Sequence, residues 1–309
     1  MLMKTALLFS GQGSQYVGMM KDLAENRLRA SEFLKNTDDL LGYSLSNICF
    51  NGPVDKLKET RYTQPALFVH EALIMNLIDG KMKYDAVAGH SVGEYAALFA
   101  AGVLNFENAL KLVSLRADLM FRAGEYEPGT MFAIVNLDDD KVIEICNKLT
   151  DEGNGKVVVA ANFNSPGQIV VSGSAQYLRD NISVFKNAGA KLVKELEVSG
   201  AFHSTLMLPA KNKLESAINS IPFNDAKVPV YVNVSSKPLT KAEDIKYALI
   251  MQLTSPVLWT QSLLAMKKSG IEKFIEIGPG TVLQGLVKRT LQDVEISGID
   301  KFDNILNFK

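Results

Sequence analysis

A chain of 309 residues with 47% hydrophobic and 22% charged residues is long enough for two domains and ordinary for a globular protein. A formal net charge of -1 leaves no electrostatic footprint for nucleic acid, and the two cysteines, Cys49 and Cys146, stand far apart and in no CxxC spacing. Those features exclude a disulfide framework or a cysteine zinc site and suit a reducing cytoplasm; no apolar run approaches the roughly 20 residues of a membrane span, so the expectation is a soluble, cytoplasmic protein with neither membrane nor nucleic acid as partner.

The first stretch, "MLMKTALLFSGQGSQ", has an apolar core of only Ala6 to Phe9, followed by glycines where a signal-peptide cleavage site would stand. It reads as a buried strand, a glycine turn and then a helix. "TQPALFVHEALIMNLI" is an apolar helix with Pro65 expected in its first turn, where a missing N–H does no harm. "YDAVAGHSVGEYAALFAAG" is again strand, tight turn and helix, ended by Gly102, and "NFENALKLVSLRADLMFR" is a further helix. Short apolar strands followed by helices predict a mainly parallel sheet with helices on its faces.

After "GEYEPG" the order becomes strand "TMFAIVN", helix "DDDKVIEICNKL", strands "KVVVAANF" and "GQIVVSG" joined by the turn "NSPG", helix "SAQYLRDNISVFKNAG" and strand "KLVKELEV". That βαββαβ order is the ferredoxin-like pattern. It predicts a small domain, 127–198, inserted into a large α/β domain made of 1–126 and 199–309. The large fold resumes with strands "VPVYVNVS" and "KFIEIGP" and a helix, "GTVLQGLVKRTL", opening after "GPG".

"GHSVG", Gly89 to Gly93, fits the G-x-S-x-G nucleophile elbow. Side chains two residues to either side of Ser91 would clash on so sharp a turn. The turn lifts the serine hydroxyl above the sheet and points the Val92 N–H toward a helix N-terminus, where an oxyanion finds positive partial charge. An ordinary strand-to-helix corner is the alternative. A nucleophilic serine needs a base, and the chain has three histidines. His70 lies in an apolar helix and reads as packing. His90 adjoins Ser91 on a turn where neighbours point apart. His203, in "SGAFHS" between a strand and the next helix, is the candidate base, with a capping or core role as the alternative. No acid stands out between Ser91 and His203, because "DDD" at 138–140 reads as a helix start; a backbone carbonyl could orient the histidine instead.

An independent signal comes from the helix at 106–122, where Ala109, Leu112, Val113, Leu119 and Met120 form one stripe and Arg116 falls in its middle. A buried guanidinium must meet an anion: an internal Asp or Glu, or a substrate carboxylate gripped through two parallel hydrogen bonds. "SGQGSQ", Ser10 to Gln15, is a second glycine turn that opens on the same sheet edge as the elbow. It could complete an oxyanion hole, cradle a phosphate or be a plain turn, and it lacks the G-K-[ST] ending of a P-loop.

Taken in order, "GQGSQ", "TQPA", "GHSVGEYAAL", "SLRADLM", "NFNSPGQIVVSG", "AFHS", "SPVLW" and "EIGPG" resemble the malonyl-CoA:acyl-carrier-protein transacylases, with the acyltransferase domains of fatty-acid and polyketide synthases as wider relatives. The resemblance spans nearly the whole chain. It implies a hydrolase-like α/β domain with a ferredoxin-like insertion. It implies Ser91 as nucleophile, His203 as its base, Gln12 and Val92 as oxyanion N–H donors, and Arg116 as the ligand of the malonyl carboxylate. The backbone carbonyl of Gln252 is then expected to orient His203, which would account for the missing acid. Phe202, a bulky aromatic before the histidine, accompanies a preference for malonyl over methylmalonyl in related domains.

The chemistry so implied passes a malonyl group from malonyl-CoA to Ser91 and on to the phosphopantetheine thiol of holo acyl carrier protein, in fatty-acid biosynthesis. It needs no metal or cofactor, the CoA thioester being a substrate. A serine thioesterase or esterase, a trans-acting acyltransferase of a polyketide pathway, and a non-catalytic carrier-binding module are the alternatives. Lys191, Lys194, Lys267, Lys268, Lys288 and Arg289 are candidate contacts for an acidic carrier protein, and a monomer is expected.

Overall fold

The apolar runs that open the chain and precede the serine become adjacent strands at the centre of one sheet. A computed structural model of the protein describes residues 3–78 and 80–307, so the extreme ends of the expected large domain lie outside the described residues. In it β1 (Lys4–Phe9) and β2 (Ala86–Gly89) pair in parallel, Leu7 opposite Val87 and Phe9 opposite Gly89. β3 (Gly129–Val135), β4 (Val158–Ser165), β5 (Gln168–Ser174) and β6 (Leu192–Glu195) form a separate sheet. β7 (Val230–Tyr231), β8 (Pro238–Leu239), β9 (Ile271–Ile277) and β10 (Glu295–Ile299) complete the first, in the order β10-β9-β1-β2-β7-β8. All its pairs are parallel except β7 with β8.

Alternation along β1 shows why its sequence is apolar on both sides. Leu7 and Phe9 face a core filled by the helices Thr60–Leu77, Gly93–Ala100 and Phe106–Tyr126. Ala6 and Leu8 face a second core with Trp259, Leu263, Leu283 and Leu286, from the helices Trp259–Lys268 and Val282–Thr290. The carboxylate of Glu276, at the end of β9, accepts the N–H groups of Leu283 and Gln284 and so caps the second of these helices.

The second sheet runs β4-β5-β3-β6 with every pair antiparallel, and the elements contributing to it follow one another as strand, helix, two strands, helices and strand. Phe132, Ile134, Val142, Ile145, Val171 and Phe185 form its own core. The chain leaves for this sheet and returns from it along touching segments. A Cβ on Gly124 would lie 1.8 Å from the Ser199 carbonyl oxygen, and one on Gly129 would lie 2.3 Å from the Ala201 nitrogen. Glycine at those two points is what allows the crossing.

Some elements differ from expectation. The helix carrying Pro65 starts at Thr60, so the proline lies inside it rather than in its first turn. Burial of Thr60, Thr63 and Gln64 against the core extends the helix past the local preference of the proline. "VPVYVNVS" yields only the two residues of β7, because the chain turns at Asn233, whose side chain is taken up elsewhere. "SAQYLRDNISVFKNAG" breaks into Ala175–Asn181 and Ser183–Asn187. Among the described residues no helix is long and apolar enough to cross a membrane.

Candidate active site

β1 and β2 end side by side, and the His90 N–H donates to the Phe9 carbonyl at 3.0 Å, so the two glycine turns open together. The elbow leaves no room for side chains at its glycines. A Cβ on Gly89 would lie 1.9 Å from the Gly93 carbonyl carbon, and one on Gly93 would lie 2.3 Å from the Phe9 oxygen. Ser91 itself has φ 53°, in the left-handed region that costs a non-glycine residue about 1–3 kcal/mol. Asn233 holds it there: its Oδ1 accepts the Ser91 N–H at 2.8 Å, and its Nδ2 donates to the Gly89 carbonyl at 2.7 Å. Asn233 is held in turn through its own N–H, which donates to Glu94 at 2.8 Å.

Ser91 Oγ lies 2.8 Å from His203 Nε2 although 112 residues separate them. His203 Nδ1 faces two backbone carbonyls, Gln252 at 3.0 Å and Ser255 at 3.2 Å. Carbonyls only accept, so the proton sits on Nδ1 and Nε2 is left bare toward the serine hydroxyl. Burial, and then the nearby Arg116 charge, push the His203 pKa down to about 3, so its imidazole is neutral at physiological pH. The other histidines are engaged elsewhere. His90 Nε2 lies 2.8 Å from Asn164 Oδ1 and its ring packs edge-on to Trp259, while His70 Nε2 meets the Asp300 carbonyl at 2.9 Å.

Arg116 is 1% exposed and reaches the same oxygen. Its Nη2 donates to Ser91 Oγ and to Gln252 Oε1, each at 3.0 Å, and its Nη1 donates to Gln64 Oε1. Its Nε has no partner, and among the described residues no carboxylate comes within ion-pair distance of it. The acid whose charge reaches it is Glu94. That carboxyl is itself fully buried, and its pKa is raised by burial to about 7, so at neutral pH it supplies only part of a counter-charge.

Ser91, His203 and Arg116 line a cavity of about 140 Å³ with Gln12, Val92, Asn162 and Asn164 among its polar neighbours and Met120, Met131 and Phe202 on its apolar wall. Phe202 is buried. The backbone N–H groups of Gln12 and Val92 donate to no protein acceptor among the described residues, and Val92 stands at the N-terminus of the helix Gly93–Ala100. A wider hollow of about 500 Å³ adjoins the cavity through Gln12, Leu196 and Val198 and is bordered by Tyr16, Lys58 and Lys194. Another, of about 490 Å³ around Tyr43, Tyr62 and Asp118, has no histidine among its lining residues.

All seven sequence-derived site residues thus meet at one place: Gln12, Ser91, Val92, Arg116, Phe202 and His203 on the cavity, and Gln252 directly behind them. The carrier-contact candidates separate. Lys194 borders the adjoining hollow, with Lys191 on the same edge segment. Lys267, Lys268, Lys288 and Arg289 stand at the C-terminal ends of helices that run back toward the edge where the strands begin, away from the serine. Gln64, Glu94, Asn164 and Asn233 also contribute to the site, and no catalytic motif marks them. Asn233 carried a signal, a polar side chain in the middle of an apolar run.

The family model of the acyl transferase domain matches residues 6–301. The chain is 41% identical over 302 residues to a malonyl CoA-acyl carrier protein transacylase of Staphylococcus aureus, covering 98% of this chain and 97% of that one. Among solved structures, an acyl carrier protein S-malonyltransferase from Vibrio cholerae superposes with a TM-score of 0.93 at 39% identity, over 99% of this chain and all, 100%, of the other. A malonyl-transacylase in complex with a type II PKS acyl-carrier protein superposes with a TM-score of 0.92 at 36% identity, over 98% of each chain.

Proposed function

Because the chain belongs to the malonyl CoA-acyl carrier protein transacylase family and is an acyltransferase enzyme, we propose that it moves a malonyl group from malonyl-CoA to the phosphopantetheine thiol of acyl carrier protein through a malonyl-serine intermediate at Ser91. The observation that carries this reading is Arg116, a buried guanidinium 3.0 Å from the serine oxygen with two neutral amide oxygens as partners and, among the described residues, no carboxylate within ion-pair distance. A site for acyl groups in general has no need of such a charge. One built for a dicarboxylic monothioester does, which also disfavours a simple thioesterase or esterase.

In the first half-reaction His203 Nε2 takes the Ser91 proton as Oγ attacks the thioester carbonyl. The developing oxyanion is received by the N–H groups of Gln12 and Val92, the kind of contact worth about 3–4 kcal/mol per donor in a dry site. His203 passes its proton to the departing CoA sulfur. Arg116 holds the distal carboxylate of the malonyl-enzyme. The carrier thiol then enters, gives its proton to His203 and reverses the sequence. Arg116 also lowers the basicity of His203, so a carboxylate that neutralises it raises the histidine's proton affinity as the serine must lose its proton.

We read 127–198 as a ferredoxin-like small domain inserted in a hydrolase-like large one, a reading that the four-stranded antiparallel sheet and its helices support. We assign the hollow beside Tyr16, Lys58 and Lys194 to the pantetheine arm of CoA and carrier. The pathway is fatty-acid biosynthesis, in the cytoplasm, with a monomeric enzyme that needs no metal or cofactor. Phe202, on the apolar wall, sets malonyl over methylmalonyl. Incubation with malonyl-CoA and then with holo carrier protein, following both masses, tests the reading. The protein should gain a malonyl group that leaves as the carrier gains it. Release of free malonate with no mass gain on the carrier would make it a hydrolase.

A further inference from the structure

We propose that the side chain of Gln252 is a positioning residue that couples recognition of the substrate carboxylate to the serine nucleophile, an inference that rests on the transacylase reading. The amide is fully buried and touches both partners. Its Oε1 accepts from Arg116 Nη2 at 3.0 Å, and its Nε2 donates to the Ser91 backbone carbonyl at 3.0 Å. Only this orientation of the amide fits, because the reverse would set N–H against N–H and oxygen against oxygen. The backbone carbonyl of the same residue meets His203 Nδ1. One residue therefore sets the base, the elbow and the guanidinium.

The choice of an amide has a further consequence. Gln252 and Gln64 align two prongs of the guanidinium without cancelling its charge, which a carboxylate in either place would do. Nη2 also donates to Ser91 Oγ, the atom that must attack. An acyl group bearing a carboxylate draws Nη2 away from that oxygen, and an acyl group without one leaves it there. Gln252 fixes the point between the two positions.

The test compares malonyl and acetyl transfer from their CoA thioesters for the unsubstituted protein, Gln252→Met and Gln252→Glu, with melting temperatures alongside. Gln252→Met keeps the length and the backbone carbonyl and removes both amide bonds. Its kcat/KM for malonyl should fall about 10- to 100-fold, and at least tenfold more than that for acetyl. Gln252→Glu should lose more malonyl transfer still, because its carboxylate closes an ion pair with Arg116. Equal losses for the two thioesters, or better malonyl transfer by Gln252→Glu than by Gln252→Met, would overturn the assignment. A general loosening of the fold lowers both activities and the melting temperature together and leaves their ratio unchanged. Should Gln252→Glu be insoluble, the Gln252→Met ratio decides alone. Absence of any malonyl adduct on the unsubstituted protein would remove the transacylase reading, and this inference with it.

Discussion

Replacing Arg116 by alanine separates the two jobs that an acyltransferase pocket performs. A bidentate carboxylate contact consists of two charge-assisted hydrogen bonds of about 1.5–3 kcal/mol each, so about 3–6 kcal/mol is at stake. Part of that is offset because Nη2 already donates to Gln252 and Ser91, and a bidentate carboxylate must displace one of the two. The net loss should fall in the lower half of the range, about 3–4 kcal/mol, or roughly 10²- to 10³-fold in kcat/KM for malonyl. Acetyl has no carboxylate to lose, so its transfer should hold or rise as Ser91 Oγ is released from Nη2. Competing malonyl and acetyl thioesters in one reaction, with the acyl-enzyme resolved by mass, give the ratio directly. A malonyl-to-acetyl ratio altered by less than tenfold would refute the carboxylate role.

Gly93→Ala should abolish activity and destabilise the fold, because its Cβ meets backbone oxygens of Phe9 and Ser10 at 2.3 and 2.6 Å and neither can move aside cheaply; thermal melting and acylation assays check this. Asn233→Ala leaves the Ser91 N–H and the Gly89 carbonyl without partners, about 1–3 kcal/mol for each in a buried site, and denaturant unfolding should show that loss together with slower acylation. His203, at about 3 in the folded protein against 6.5 as its ordinary value, is protonated in the unfolded chain across that interval while remaining neutral in the native one. Its contribution to stability is therefore present above about 6.5 and is lost as pH falls toward 3. An NMR titration of the His203 ring should find no protonation near 6.5, and in Arg116→Ala the midpoint should move up because a positive neighbour is gone. Phe202→Ser, which clears part of the apolar wall, should improve methylmalonyl relative to malonyl transfer in parallel kinetics, and an unchanged ratio would remove Phe202 from acyl choice.

Where periodicity and spacing act locally, the sequence was readable. The strand before Gly89 and the helix after Gly93 are set by an apolar run, two glycines and the steric demand of the turn between them. Arg116 was visible as the one charge in an apolar helical stripe, and its 1% exposure follows from that stripe. Less legible were the residues whose work depends on distant chain segments. Nothing near Gln64 or Asn233 says that one will face a guanidinium 52 positions later and the other a serine 142 positions earlier. The brevity of β7 has the same origin, since the turn at Asn233 serves the elbow rather than the strand. Family resemblance supplied the Gln252 carbonyl, which no side-chain pattern could, because a backbone oxygen is present at every residue.

The account comes down to whether one small diacid bridges Ser91 and Arg116. A crystal structure of the unsubstituted protein soaked with malonyl-CoA, with no carrier protein present to take the acyl group, addresses that most directly. We expect continuous density from Ser91 Oγ, the thioester-derived oxygen at the N–H groups of Gln12 and Val92, and the free carboxylate on the Arg116 fork. An adduct on another residue, or a carboxylate turned toward solvent with Arg116 still on Ser91, would contradict it.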